Sequence, residues 1–316
     1  MNLRENGRNF WHGVGLVIIL ASVYWVVQKA IAGGLDFRTL IETADLFRII
    51  AGSAMLALSV FLAGIPFIAI ARFFSKHETP LDHLLFLQFC GQLARHLPGR
   101  VWGLAFQLSN VRDSALASVV LRSHLDSALL GLGWSVLFPI SLYAVNRYPW
   151  TLAYFVALLL VASAIFLSYG TFRLLPKRLC NWISGKSAGV SGAELLSAPT
   201  FFSRTNAIVI GALLCSWVVF TSGMCVLIQG IFDLDLAVCL DIVVVYGISW
   251  LAGYMSFLTP GGIGVREATF VLLVPAISKG DAALMAVYFR LIFLATEFLL
   301  AGIGIIIYFL RNFRGK

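Results

Sequence analysis

The sequence predicts an all-α, polytopic integral membrane protein with two re-entrant segments around a polar cavity. Its composition is 60% hydrophobic and only 12% charged, with a mean hydropathy of +0.91. Apolar runs recur that are long enough for a hydrocarbon core that needs about 20 helical residues, and they suggest about seven or eight spans. Two Pro-Gly breaks interrupt such runs. Irregular backbone survives at membrane depth only where it is buried in protein or lines a wet cavity.

The apolar runs are distributed over the whole chain, so a single membrane domain is expected over residues 1–316. The first run follows Arg4 and Arg8, as in a signal peptide, but it continues without a small-residue cleavage site and is interpreted as a retained span. The predicted spans are 11–31, 48–72, 113–145, 151–173, 205–230, 236–258 and 281–310.

A net charge of +8 fits cytoplasmic loops rich in Lys and Arg better than nucleic-acid binding, which is not expected. The longest hydrophilic stretch, 173–204, carries the strongest cationic cluster and is predicted to be cytoplasmic. Counting spans backwards then places the N-terminus in the cytoplasm. Counting forwards with the simple spans places the cationic C-terminal tail outside, against the same rule. Either segment 259–278 makes a full crossing, or one of the two cationic clusters is not cytoplasmic.

The two broken segments, about 81–109 and 259–278, lie half a chain apart. Gly/Pro-interrupted segments in corresponding positions of two halves indicate the midplane binding site of secondary transporters. The alternative is that the prolines and glycines only kink membrane helices, in which both residue types are common. The break residues are Pro98, Gly99, Pro260, Gly261, Gly262 and Gly264.

Charged residues inside the last span need partners. Arg290 and Glu297 lie seven residues apart, on one helix face but about 10 Å from each other, so they cannot bond directly. Arg266 and Glu267, in the second broken segment, are the expected partners. Such a network either holds the second half together or also borders a substrate path.

The first half of the chain also contains charged residues within a predicted span. Arg122 and Asp126 have the i,i+4 spacing of a salt bridge, and His124 between them is either structural or a proton carrier.

A polar stripe enters the first break, and arginine's planar fork suits phosphate oxygens. The stripe is either a head-group site or an interfacial helix that contacts acidic lipid. Its members are Gln92, Arg95, His96 and Arg100.

Motifs for enzymes are weak. The sequence has no Gly-rich phosphate loop, nucleophile elbow, HExxH motif or metal-ligand spacing, so no catalytic residue, cofactor or metal is expected. One alternative remains, a membrane-embedded glycosyltransferase that uses a lipid-phosphate sugar donor, or its accessory subunit. Such enzymes carry a carboxylate base in a first external loop, where Asp36, Glu42 and Asp45 are predicted to lie.

Three motifs resemble the membrane domain of the lysylphosphatidylglycerol synthase/flippase superfamily. Its PGG-x-G-x-R-E segment matches Pro260, Gly261, Gly262, Gly264, Arg266 and Glu267. Its Gln-Leu…Leu-Pro-Gly-Lys/Arg-Val-Trp segment matches Gln92, Leu93, Leu97, Pro98, Gly99, Arg100, Val101 and Trp102. Its Tyr-Arg-Leu matches Tyr288, with Arg290 and Leu291 after one phenylalanine. The chain departs from the family's Glu-Arg-x-x-Asp element, because Arg122 stands where the glutamate would be.

The resemblance implies a flippase-like protein of the cytoplasmic membrane that moves an anionic phospholipid or lipid-linked sugar between leaflets in cell-envelope assembly. No soluble aminoacyl-transferase domain is expected within residues 1–316, so lysine transfer is not implied. Arginines 95, 100, 266 and 290 would attract the phosphate, and Glu267, Glu297 and Asp126 would orient them or shuttle charge. Expected partners are the lipid and either envelope-biosynthesis enzymes or further copies of the chain. A third interpretation is a scaffold that recruits an enzyme through loop 173–204.

Overall fold

The computed structural model of the chain describes residues 45–75, 79–95, 102–111, 113–148, 204–232, 234–256, 262, 264–274 and 279–314, together with positions 151, 154, 158, 162 and 163. The regular elements in these ranges are eight α-helices and include no strand, which confirms the predicted all-α class. The helices are α1 (Leu46–Phe74), α2 (Leu81–Ala94), α3 (Trp102–Ser109), α4 (Ser114–Arg147), α5 (Arg204–Ile231), α6 (Leu236–Met255), α7 (Val265–Leu273) and α8 (Lys279–Arg314).

Five of these helices are long and apolar enough to cross a membrane. They are α1, α4, α5, α6 and α8, and they coincide with five of the predicted spans. The chain is therefore an integral membrane protein. The predicted span 11–31 and loop 173–204, up to its last residue, lie outside the described residues, and so does span 151–173 apart from isolated positions.

The packing of α1 against α5 depends on small residues. The two helices are antiparallel, and three close contacts recur at intervals of seven residues, or two helical turns, along both: Asp45 with Gly230, Gly52 with Gly223, and Ser59 with Ser216. A Cβ atom on Gly52 would lie 2.8 Å from the carbonyl oxygen of Gly223. Lipid supplies no hydrophobic drive between helices, so close approach of backbones at such small residues stabilises the pair.

Helices α2 and α3 form a short antiparallel hairpin. Their 14 and 8 residues span about 21 and 12 Å, so neither crosses a hydrocarbon core about 30 Å thick. Gly103 packs so closely that a Cβ atom there would lie 2.6 Å from the carbonyl oxygen of Gly91. The Gln107 side chain donates to the carbonyl oxygen of Leu87 at 3.2 Å. The predicted break in 81–109 thus separates two helices that fold back on each other.

The same hairpin packs along α8, which runs antiparallel to α2. Asp82 forms an ion pair with Arg311 at one end of the contact, and Arg95 pairs with Glu297 at the other. Between them the rings of Phe86 and Tyr308 stack with centroids 4.7 Å apart. Helix α8 therefore ends beside the start of α2.

These pairings define two ends of the helix bundle. At one end, called the Arg311 end, α1 finishes, α2 and α5 begin and α8 finishes. Ala71 and Leu84 accordingly share one buried cluster, and Ile70 and Val209 share another. At the other, called the Asp45 end, α1 and α6 begin and α4 and α5 finish. There Asn146 donates to the Asp241 carboxylate at 3.1 Å.

The glycine contact between α1 and α5 leads to a stability prediction. Gly52→Ala places a methyl group against the backbone of α5 and is expected to lower the free energy of unfolding by about 1–3 kcal/mol, the usual cost of overpacking. Gly211→Ala is the matched control on α5, because a Cβ atom there has no described neighbour within 4 Å. Thermal unfolding of the purified variants in detergent measures the difference, and equal melting temperatures would contradict the prediction.

Candidate functional site

The start of α7 is positioned by glycines that no other residue replaces without strain. Gly262 and Gly264 have φ angles of 71° and 87°, in the left-handed region that favours glycine. A Cβ atom on Gly262 would also lie 2.6 Å from the carbonyl oxygen of Gly253 in α6. This close approach brings the second broken segment against α6, with Arg266 in the first turn of α7. Pro260 and Gly261 lie outside the described residues.

Arg266 is buried, with 7% of its surface exposed. Its guanidinium donates to the Tyr246 hydroxyl and lies 4.4 Å from the centre of the Tyr246 ring. Phe293 of α8 adds a second aromatic face at 5.6 Å. A hydrogen bond and two cation–π contacts thus stabilise a charge that would be costly to bury alone.

Tyr246 was not among the site residues predicted from the sequence. The available signal was its place near the middle of an apolar span, where a hydroxyl needs a hydrogen-bond partner.

Glu267 contacts both the break and the last span. Its carboxylate accepts a hydrogen bond from the backbone N–H of Gly264 at 2.7 Å and lies 4.0 Å from Arg290 of α8. The pairing of Arg290 with Glu267 agrees with the sequence-based expectation. One carboxylate therefore ties the glycine turn to α8.

Glu297 has a described partner from the other half of the chain. It forms an ion pair with Arg95, the residue that follows α2 in the first broken segment. Glu297 is 4% exposed, whereas the Arg95 side chain is 41% exposed. The two broken segments are thus joined through α8, a contact that sequence spacing did not predict.

Together these side chains form one group, called here the arginine–glutamate cluster: Arg95, Arg266, Arg290, Glu267 and Glu297. Arg266 interacts electrostatically with Arg95, Arg290 and Glu267, and Tyr246 interacts with both glutamates. Among these described side chains, three positive and two negative charges leave one net positive charge. These five side chains therefore carry an excess of one positive charge, which one anion would neutralise.

A second polar group lies in the first half. Arg122 and Asp126 form the expected i,i+4 ion pair at 3.4 Å, with both side chains almost fully buried. The Arg122 guanidinium also lies 3.8 Å from the Phe74 ring centre. His124 Nδ1 is 2.8 Å from Gln107 Oε1, which ties α4 to α3. Gln107, 1% exposed, is a buried polar residue that the sequence analysis missed.

The remaining candidate residues are accounted for as follows. Arg100, Pro98 and Gly99 lie outside the described residues, as do Asp36 and Glu42. Asp45 caps α1, because its carboxylate accepts from the backbone N–H of Arg48 at 3.1 Å. Within the described part of the chain, no group of three or more His, Cys, Asp or Glu residues could hold a metal ion.

No family model, curated protein or solved structure matches the chain. The described residues define the class of protein: an integral membrane protein with five long apolar helices and a cluster of arginine and glutamate side chains that links several of its helices.

The contact between Tyr246 and Arg266 can be tested by stability. Tyr246→Phe keeps the ring but removes the hydrogen-bond acceptor of a buried guanidinium, so a loss of about 1–3 kcal/mol in the free energy of unfolding is expected. Tyr288→Phe is the matched control, since the Tyr288 hydroxyl makes no hydrogen bond with the described residues. Thermal or denaturant unfolding in detergent measures both variants, and an equal loss in the two would refute the assigned contact.

Proposed function

We propose that the protein translocates an anionic, polar-headed lipid, a phospholipid or a lipid-linked sugar phosphate, between the leaflets of the cytoplasmic membrane. The observation that carries the proposal is the net positive charge of the arginine–glutamate cluster inside apolar helices. A lipid phosphate would neutralise this charge during passage, while the hydrocarbon chains stay in the bilayer.

The position of the cluster along α8 supports a midplane site. The apolar span of α8 covers Asp281–Arg311, so Glu297 lies sixteen residues from its start and fourteen from its end. The adjacent breaks at Arg95 and Gly264 belong to the two interrupted segments. Binding sites formed by discontinuous helices near the bilayer midplane are typical of secondary transporters.

Arginine chemistry supports a phosphate head group. Guanidinium groups bind phosphate oxygens through pairs of parallel hydrogen bonds and stay charged even when buried. Arg95 donates one N–H to Glu297, and the guanidinium of this half-exposed side chain carries further N–H donors. Phosphate would therefore join the cluster without displacing an existing pair.

We further propose a membrane topology with two broken segments. Helices α2 and α3 would enter and leave from the Arg311 end as a re-entrant hairpin. Helix α6 starts at the Asp45 end, and α8 does too, because Ala282 packs in one cluster with Cys239 and Ile242. Segment 256–278 would then cross back through the bundle, which favours the full crossing left open by the sequence. With the two spans outside the described residues, the total would be about seven or eight.

The Arg311 end is proposed to face the cytoplasm, because cationic residues favour that side. Arg72, Arg204, Arg311 and Arg314 lie at the helix termini there, and the cationic stretch 173–204 leads directly into α5. The C-terminus would then be cytoplasmic as well.

Membership of the lysylphosphatidylglycerol synthase/flippase superfamily is part of this proposal and rests on the three sequence motifs. So are the expected partners, namely envelope-biosynthesis enzymes or further copies of the chain. The glycosyltransferase alternative has no support from Asp45, whose carboxylate is occupied as a helix cap.

The proposed topology predicts the location of the C-terminus. In a bacterial host, a green fluorescent protein fused after Lys316 should fluoresce, because it folds in the cytoplasm, and an alkaline phosphatase fusion at the same position should be inactive. The reverse pattern would place the Arg311 end outside the cytoplasm.

The proposed activity predicts lipid movement that depends on the cluster arginines. In proteoliposomes, the wild-type chain should move fluorescent phosphatidylglycerol or polyprenyl phosphate between leaflets. Arg266→Gln and Arg290→Gln should each slow this at least about tenfold, the effect of losing one charge-assisted hydrogen bond.

Arg147→Gln is the control for that assay, because Arg147 is half-exposed and pairs with Asp241 at the Asp45 end. Folding of every variant is checked by gel filtration and thermal unfolding. Folded wild-type protein that moves neither lipid, or cluster variants that work at the wild-type rate, would overturn the proposed function.

A further inference from the structure

An apolar groove runs beside the arginine–glutamate cluster. It is a cavity of about 510 Å³ between the α2–α3 hairpin and α8. Its walls carry hydrocarbon and aromatic groups, with one thiol. The lining residues are Phe86, Cys90, Leu93, Ala94, Phe106, Leu294, Phe298, Ala301 and Ile305.

Charged pairs join α2 and α8 on either side of this groove. Arg95 and Glu297 lie beside Ala94 and Phe298 at one end. At the other end α2 and α8 are joined by Asp82 and Arg311. The groove therefore runs from the cluster toward the Arg311 end of the bundle.

The length of the groove corresponds to one leaflet. From Leu294 to Ile305, α8 advances about 16 Å at 1.5 Å per residue. Half of a hydrocarbon core about 30 Å thick is about 15 Å. A groove that begins at a midplane cluster would thus end near the head groups of one leaflet.

Small residues keep the groove open. Buried Cys90 and Ala301 form its floor, where the Cys90 thiol donates to the carbonyl oxygen of Ala301 at 3.9 Å, and Ala94 lines the wall one turn further on. An unfilled apolar space loses dispersion contacts on every wall, and water gains nothing there because polar partners are lacking. The chemistry of the lining therefore selects hydrocarbon.

We propose that this groove holds one hydrocarbon chain of the transported lipid while its phosphate contacts Arg95. This inference rests on the proposed function and adds the location of the lipid's hydrocarbon chain. The choice of a transported lipid over ordinary bilayer lipid follows from Arg95, which comes directly after the lining residue Ala94 and whose side chain is 41% exposed. An anionic head group gains charge-assisted hydrogen bonds there, whereas a zwitterionic one brings a cation toward three arginines.

The direction of the groove adds a consequence for loading. The hydrocarbon chain would lie in the leaflet at the Arg311 end, so the groove would serve the lipid while its head group is on that side of the cluster.

Photo-crosslinking tests the proposal. The full-length protein is placed in nanodiscs of phosphatidylcholine that contain trace phosphatidylglycerol or, separately, trace phosphatidylcholine with a diazirine on one acyl chain. After irradiation, adducts are mapped by mass spectrometry. Phosphatidylglycerol adducts on Phe298 and Ile305 should exceed those on Leu291 and Ile306 by about tenfold, the ratio given by one charge-assisted hydrogen bond. The phosphatidylcholine probe should label both sets about equally, because the choline cation beside its phosphate opposes binding next to three arginines.

Two variants sharpen the result. Arg95→Gln should abolish the enrichment of phosphatidylglycerol adducts, and Arg147→Gln should preserve it. Equal labelling of both residue sets by the two probes in folded wild-type protein would show that the groove holds ordinary bilayer lipid and would overturn the inference.

Failure of the inference can be told apart from failure of the proposed function. Equal labelling together with arginine-dependent translocation would refute the chain site and leave the transporter intact. Enriched labelling without translocation of any lipid would support the chain site and refute the proposed activity.

Discussion

The absence of water from the hydrocarbon core is the constraint on which this structure depends. A charge or an unpaired backbone group at that depth is tolerated only with a partner inside the protein. Arg266 meets this condition through Tyr246, Arg290 through Glu267, and Arg95 through Glu297. Each partner belongs to a different helix from its arginine. The interactions that stabilise these buried charges also hold α2, α6, α7 and α8 together. The candidate site is therefore part of the scaffold.

Away from the cluster, the helices associate by close approach of their backbones. The contact of α1 with α5 rests on glycine and serine at seven-residue intervals, and Gly52 and Gly223 bring the two backbones together. Burial of large apolar side chains contributes less in a bilayer, because lipid tails solvate them as well as protein does. Because lipid solvates large apolar side chains, many of those on α8, such as Phe298 and Ile306, remain on the surface.

The all-α class and five spans followed from apolar runs, because a bilayer imposes a minimum helix length that composition reveals directly. The pairing of Arg122 with Asp126 followed from i,i+4 spacing, since both lie on one helix. The pairing of Arg95 with Glu297 did not, because 202 residues separate them and helical periodicity carries no information across that distance. The role of Tyr246 was missed for the same reason: only the packing of α7 on α6, which depends on Gly253 and Gly262, brings Arg266 to its hydroxyl.

The excess positive charge of the arginine–glutamate cluster also bears on the permeability of the membrane to protons and small cations. A passage polar enough for a lipid head group admits water, and a continuous water file would let protons and small cations dissipate the membrane potential. In the proposed transporter, a fixed net positive charge beside the path would raise the electrostatic barrier to cations, as a single arginine does in water channels. A third carboxylate in the cluster would remove that barrier, so the surplus arginine would serve both to attract an anion and to prevent leakage.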